Sequence, residues 1–226
     1  MILAVHQPQY LPWLGYFHKI ANCDLFIFLD DVQYKKREFQ NRNKIKTPNG
    51  PLWLTVPVAT KGKYSQKISE VTIDKETGWN NEHWKSVEHN YAHARFFSEH
   101  KTIFSDVYGM KWDKLIDLSM KIIENTLSYL DIKTPCKMSS EYGVTSSSTQ
   151  RIIDLCKKTG ADTYLSGAGG REYMDEKLFT DNNIRLTYQD YKHPEYEQLH
   201  GKFEPYLSVI DLLMNCGPQS RGILLG

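Results

Sequence analysis

The sequence predicts an α/β protein with a mainly parallel sheet, a β-hairpin inserted at about residues 36–73 and a helical segment at about 80–131. Three observations carry that expectation. Short apolar runs at Ile2–Val5, Leu25–Leu29 and Thr163–Leu165 each end in polar, proline- or glycine-containing residues, as buried strands do. Apolar residues at helical spacing lie between these runs, so strands and helices alternate along the chain. The length of 226 residues suits one domain, here 1–226 with an insertion, and is enough to bury a substantial core.

The first run leads into His6-Gln-Pro-Gln-Tyr-Leu-Pro-Trp13, after which Leu14, Phe17, Ile20 and Ala21 recur at helical spacing. The unit reads as strand, loop, helix. In open parallel sheets ligands collect at the carboxyl ends of strands, where helix-start N–H groups hold anions, so His6, Gln7, Tyr10 and Trp13 are candidates at that mouth. Taken singly, each reads better as a hydrogen-bonded core residue; their concentration at one strand end points to a site. Leu25–Leu29 ends in Asp30-Asp31 and brings a second polar strand end to the same rim.

Five Lys or Arg follow between Lys35 and Lys44, among amides and aromatics. A solvated charged face accounts for them. The functional alternative is that Gln33, Gln40, Asn41 and Asn43 orient a ligand while Arg37 and Arg42 grip a phosphate or carboxylate in bidentate fashion. Phe39–Lys46 and Leu52–Val58, joined through Thr47-Pro-Asn-Gly50, read as a hairpin that carries these groups over the sheet rim. Ile68–Ile73 reads as a further strand.

From about Asn80 to Leu130 the spacing is that of amphipathic helices, broken at Gly109. His89 and His93 stand four apart, but no carboxylate or cysteine completes a ligand set, so surface histidines and no metal site are expected. The hydroxyl-rich run Thr145–Thr149 caps a helix over Arg151–Thr159; phosphate binding by these hydroxyls and Arg151 is the functional alternative. Thr163–Leu165 ends in Ser166-Gly167, and Gly167, Gly169 and Gly170 let a backbone approach a ligand closely. Ile184–Tyr188 reads as a strand, Val209–Met214 as a helix capped by Ser208 and stopped at Asn215-Cys-Gly217, and Gln219–Gly226 as a tail. Asp211, on that apolar helix, either pairs with a basic partner or faces water.

Lys plus Arg number 28 against 27 Asp plus Glu, so there is no net electrostatic case for nucleic acid, and any anion site must be local. No apolar run approaches the roughly 20 residues of a membrane span, and the N-terminus lacks the sections of a signal peptide. The expectation is a cytoplasmic protein without membrane insertion. Cys23, Cys136, Cys156 and Cys216 are scattered without metal-ligand pairing, as buried reduced thiols are. Aromatic residues make up 12%, compatible with a site that stacks rings or sugars.

His6-Gln-Pro-Gln-Tyr-Leu-Pro-Trp-Leu-Gly-Tyr-Phe17, Leu29-Asp-Asp-Val-Gln-Tyr-Lys-Lys-Arg37, Gln40-Asn-Arg-Asn43, Trp53-Leu-Thr-Val-Pro-Val58, Tyr164-Leu-Ser-Gly167 and Leu207-Ser-Val-Ile-Asp-Leu-Leu-Met-Asn215 together resemble the WbqC-like protein family. The resemblance covers nearly the whole chain. It implies a bacterial protein encoded among O-antigen and other surface-polysaccharide genes, with a role in transferring glycine or another acyl group to an amino sugar. The order of elements also resembles the Rossmann-like, nucleotidylyltransferase-like α/β fold. That superfamily's His-x-Gly-His motif, which steadies ATP phosphates, is here Trp13-Leu-Gly-Tyr16, so both of its histidines are missing.

Residues and resemblance combine into one expected mechanism, amide formation between a small acyl or amino-acid donor and a nucleotide-linked amino sugar. The donor carboxyl must arrive activated, as an adenylate or as a thioester or ester; ATP enters only in the adenylating version, and Mg²⁺ only with ATP. In that version Lys36, Arg37 and Arg42 neutralise phosphate charge, and His6 or Asp30 takes the proton from the attacking ammonium. Asn41 and Gln33 orient the acyl group, Tyr10 and Trp13 stack on a base or sugar, and Gln7, Asp31, Ser166 and Gly167 complete the binding surface. A non-catalytic nucleotide-sugar or polysaccharide-binding protein and a nucleotidyltransferase are the alternatives. Homo-oligomer formation stays open.

Overall fold

The computed structural model describes residues 1–226. Seven strands occur along the chain: β1 (Ile2–His6), β2 (Leu25–Phe28), β3 (Arg42–Thr47), β4 (Gly50–Thr55), β5 (Cys136–Met138), β6 (Thr163–Ser166) and β7 (Arg185–Tyr188). Eight α-helices accompany them: α1 (Leu14–Ala21), α2 (Trp79–Tyr91), α3 (Phe97–Gly109), α4 (Leu115–Tyr129), α5 (Ser148–Thr159), α6 (Glu176–Asp181), α7 (Val209–Cys216) and α8 (Ser220–Leu225).

Five strands form one sheet in the order β5-β2-β1-β6-β7, and every pairing in it is parallel. This is the expected Rossmann-like α/β architecture. The inner strands β1 and β2 carry continuous apolar runs because both of their faces are covered. Side chains alternate between faces at a period of two, so Ala4, Phe26 and Phe28 enter one core while Leu3, Val5, Ile27 and Leu29 enter the other. The larger core joins the sheet to α1, the α2–α4 segment, the hairpin and α7–α8; the smaller joins it to α5 and α6.

The order of strands fixes where a site can form. From β1 the chain moves outward to β2 and β5, then returns to place β6 on the other side of β1 and continues to β7. The segments leaving β1 and β6 therefore diverge to opposite faces, and a crevice opens between their carboxyl ends. Leu3 pairs with Tyr164 and Ala4 with Leu165, which sets His6 beside the Ser166-Gly167 turn.

The hairpin β3–β4 forms a separate two-stranded sheet, with Arg42 opposite Thr55 and Thr47 opposite Gly50. Its strands differ from the expected Phe39–Lys46 and Leu52–Val58 because residues 36–41 form turns, with Arg37 in the left-handed region at φ 64°. The hairpin is sewn to the β1–α1 loop: the Tyr10 N–H donates to the carbonyls of Phe39 and Gln40, each at 3.2 Å, and Asn43 Nδ2 donates to the Leu11 carbonyl at 2.6 Å.

Two expectations are corrected. Ile68–Ile73 is not a strand; Ile68–Glu70 is a 3₁₀ turn, and only isolated bridges, Val58–Ile73 and Thr72–Lys114, flank it. Its buried residues, Ile68, Val71 and Ile73, break the period of two that a one-faced strand requires. Gln219–Gly226 is not a free tail: Ser220–Leu225 is α8, packed against α1 with Leu224 buried, and Arg221 Nη1 donates to Asp131 Oδ2 at 2.9 Å just past α4.

Asp211 neither faces water nor forms an ion pair. It is fully buried on α7 and accepts hydrogen bonds from Tyr91 Oη at 2.8 Å, Tyr196 Oη at 2.9 Å and Gln198 Nε2 at 2.7 Å. Burial raises its carboxyl pKa, against the pull of these donors and of the nearby Lys46 charge. The network fastens the irregular stretch before α7 to α2. All four cysteines are free thiols, and no helix is long and apolar enough to cross a membrane.

Candidate active site

A cleft of about 620 Å³ lies at the crevice between β1 and β6. Its polar lining comes from the β1 end (His6, Gln7), α1 (Lys19), the segment after β2 (Lys35), the start of α5 (Ser148, Arg151) and the turn after β6 (Ser166, Gly167).

His6 closes β1. Its Nδ1 stands 3.1 Å from the Gln7 carbonyl, which can only accept, so Nδ1 carries the proton. Nε2 is then the unprotonated nitrogen, and it makes no hydrogen bond within the protein. Burial first, and the charge of Lys19 second, push the imidazole pKa down to about 4, so the ring is neutral at pH 7. The Tyr16 ring packs edge-on at 5.1 Å, and Tyr16 Oη donates to the Gln7 carbonyl at 3.0 Å, which fixes the ring's surroundings.

Lys19 is 4% exposed, and its Nζ donates to the Val5 carbonyl at 2.9 Å. No carboxylate forms an ion pair with it. Burial lowers its pKa to about 8, only weakly opposed by Cys23. Nζ lies so close to the next turn that a methyl group on Gly167 would stand 4.0 Å from it. An ammonium held in this way lacks a counter-ion, and an anionic ligand supplies one.

Arg151 is 7% exposed, but its charge is already matched. Nη2 pairs with Asp31, and Nη1 donates to the carbonyls of Val144 at 2.9 Å and Ser146 at 3.3 Å. Burial alone would raise the Asp31 carboxyl; hydrogen bonds from Ser139 and Arg151, with the Arg151 charge, outweigh it and hold the pKa below its usual value. Asp30, buried, accepts from Ser140 N–H at 2.9 Å and Ser139 Oγ at 3.0 Å and so clamps the end of β2 to the end of β5. Asp31 and Asp30 thus hold up the rim from behind, and neither lines the cleft.

The α5 start adds donors. Ser147, its N-cap, makes no side-chain capping bond, and Ser148 sits at φ 50°, a conformation costly for serine. First-turn N–H groups and the positive end of a 12-residue helix therefore border the cleft without an internal cap. Across from them, Ser166 Oγ donates to the Gly167 carbonyl at 3.1 Å, and a methyl group on Gly170 would meet Ser166 Oγ at 2.0 Å, so glycine here leaves room for the Ser166 side chain in this rotamer.

His6, Gln7, Ser166 and Gly167 meet in this cleft, and Ser148, Arg151, Gly169 and Gly170 also line it; the other sequence candidates stand elsewhere. Tyr10 is fully buried, with Oη 2.8 Å from His83 Nδ1 and 2.6 Å from Tyr108 Oη, and ties the β1–α1 loop to α2 and α3. Trp13 packs against Tyr191 and Tyr206 and stacks on His193, in space left by Gly15. Gln33 Nε2 donates to the Tyr64 carbonyl at 2.8 Å, and Asn41 Nδ2 to the Val56 carbonyl at 2.9 Å. Lys36 and Arg37 are exposed outside the cleft, and Arg42 donates to the Arg37 carbonyl while lying 4.4 Å above the Trp53 ring. The residues that sequence reasoning missed are Lys19 and Lys35. A lysine one residue from Ile20, on the apolar flank of a short helix, was the available signal for the first.

The chemistry open to this arrangement is proton removal by a neutral imidazole next to a held anion. No solved structure matches the chain. The Mycobacterium tuberculosis (strain H37Rv) protein Rv1507c, described only as uncharacterized, is 41% identical over 224 residues, covering 98% of this chain and 96% of its own. A family model described as WbqC-like protein family matches residues 7–223. A match of that extent, with a relative aligned end to end, means that the chain belongs to the WbqC-like protein family.

Proposed function

We propose that the protein is an acyl- or aminoacyltransferase that forms an amide on the amine of a nucleotide-linked amino sugar, in surface-polysaccharide synthesis. One observation carries the reading: a neutral His6 with a free Nε2 shares a switch-point cleft with Lys19, a buried cation that has no counter-ion. In the reaction the sugar's amine nitrogen attacks the carbonyl carbon of the activated acyl group. The C–N bond forms, the bond to the leaving group breaks, and His6 Nε2 takes the nitrogen's proton, an assistance worth roughly 10²–10⁴ in rate. Lys19, which has no counter-ion in the protein, pairs with a phosphate of the nucleotide. Lys35 and the first-turn N–H groups of α5 hold the nucleotide's phosphates. Gln7 and the Ser166-Gly167 turn bound the sugar.

Mass spectrometry of products tests this directly, with purified protein, a panel of nucleotide amino sugars and glycine or other acyl donors supplied as thioester, as ester, or free with ATP and Mg²⁺. A mass gain of one acyl unit on the sugar, lost in His6→Ala, is the expected result. Saturable sugar-nucleotide binding without product from any donor would refute transferase activity and favour a binding protein.

A further inference from the structure

The charge of this chain is unevenly placed. Residues 33–67 hold nine of the 28 basic residues and one of the 27 acidic ones, Glu38, leaving the rest with 19 against 26. Only Lys46 of the nine is buried. The other eight are exposed or half-exposed, and none forms an ion pair.

The fold gathers them on one surface. Lys61, Lys63 and Lys67 lie on a segment held along the chain at Gln33–Lys35, through the Tyr34 N–H to the Gln66 carbonyl at 2.9 Å and Gln33 Nε2 to the Tyr64 carbonyl. Lys36 and Arg37 continue this line to Phe39, whose ring is 5.9 Å from that of Trp53. Arg42 and Lys44 flank the Trp53 ring. Among these cations Phe39, Trp53 and Tyr64 are exposed, at 38%, 42% and 83%. Lys35 belongs to both this surface and the cleft lining.

Large apolar side chains left in water amid unpaired cations match the boundary of an anionic bilayer, where cations meet phosphates and aromatic and aliphatic groups enter the headgroup level. Base stacking fits less well: Arg42 already covers the Trp53 ring, and the Phe39 ring lies beside it. We propose that this surface docks the protein peripherally on a membrane leaflet rich in anionic phospholipid, with the cleft mouth beside the bilayer. The proposal stands independently of the reaction assigned above.

Co-sedimentation of the full chain with phosphatidylglycerol vesicles and with phosphatidylcholine vesicles tests it. Binding is expected to the first and not the second, and to weaken at least roughly tenfold between about 50 and 300 mM salt. The double variant Lys61→Gln, Lys63→Gln, exposed and outside the cleft, is expected to bind roughly thirtyfold more weakly at low salt, with an unchanged circular dichroism spectrum. Phe39→Ser with Trp53→Ser is expected to weaken binding without flattening the salt dependence. No binding to either vesicle, equal binding to both, or tighter binding to polyuridylate RNA than to phosphatidylglycerol vesicles would overturn the proposal.

Discussion

Replacing Lys19 with methionine is expected to stabilise the protein while it harms the site. The side chain is 4% exposed with no ion-pair partner, and its pKa falls from 10.5 to about 8. At 1.4 kcal/mol per tenfold, that drop means the folded state pays on the order of 3 kcal/mol to keep the ammonium charged at pH 7. Methionine removes this cost and fills similar space. It also removes the hydrogen bond to the Val5 carbonyl, worth about 1 kcal/mol. The net gain is on the order of 2 kcal/mol, or roughly 4–8 °C in Tm for a chain of this size. The sign with pH follows from the lowered pKa. Between about 8 and 10.5 the unfolded chain holds this proton and the native chain does not, so wild-type stability rises relative to the variant across that window. Thermal melts of both proteins at pH 7 and above pH 10 measure the difference, with the variant's advantage at pH 7 disappearing at the higher pH. A variant that melts lower at pH 7, or an advantage independent of pH, would refute the picture of Lys19 as an unpaired cation kept for a ligand.

Two further outcomes follow from buried groups. His6 and His83 both have pKa values lowered to about 4, chiefly by burial, so each leaves the native state one proton short of the unfolded state between about 4 and 6.5. Stability from urea unfolding should therefore fall as pH drops through that window, by up to about 1.4 kcal/mol per pH unit for each histidine; His83→Gln should make the slope shallower, and an unaltered slope would contradict the assignment. Asp211→Ala strands the donors of Tyr91, Tyr196 and Gln198 and should cost roughly 2–4 kcal/mol in urea unfolding, with residues 191–206 becoming the first point of proteolysis; a loss below about 0.5 kcal/mol would show the network to be slack.

Some of this was legible in the chain. Ile2–Val5, Leu25–Leu29 and Thr163–Leu165 are apolar on successive residues because both sheet faces are covered, and that pattern announces a buried parallel sheet. His6 and Ser166 were readable as rim residues because a polar group immediately after such a strand stands at its carboxyl end. What stayed hidden depends on contacts between distant residues. Arg151 and Asp31 are 120 positions apart, and only the fold reveals that they neutralise one another. Tyr10 resembles a stacking residue until His83 and Tyr108 are found on its hydroxyl. The hairpin cations looked aimed at phosphate, yet Arg42 is taken up by Trp53 and by the Arg37 carbonyl, while Lys19, alone in a helix, sits at the crevice.

The central claim is that the nucleotide's phosphates are held at the β1–β6 cleft and not on the hairpin. Calorimetric titration of a nucleotide diphosphate amino sugar into wild type, Lys19→Met and Arg42→Ala separates the two places most directly. The account predicts at least roughly tenfold weaker binding for Lys19→Met, as for loss of a buried charge-assisted contact, and less than about twofold for Arg42→Ala. Weak binding by Arg42→Ala with full affinity in Lys19→Met would contradict it.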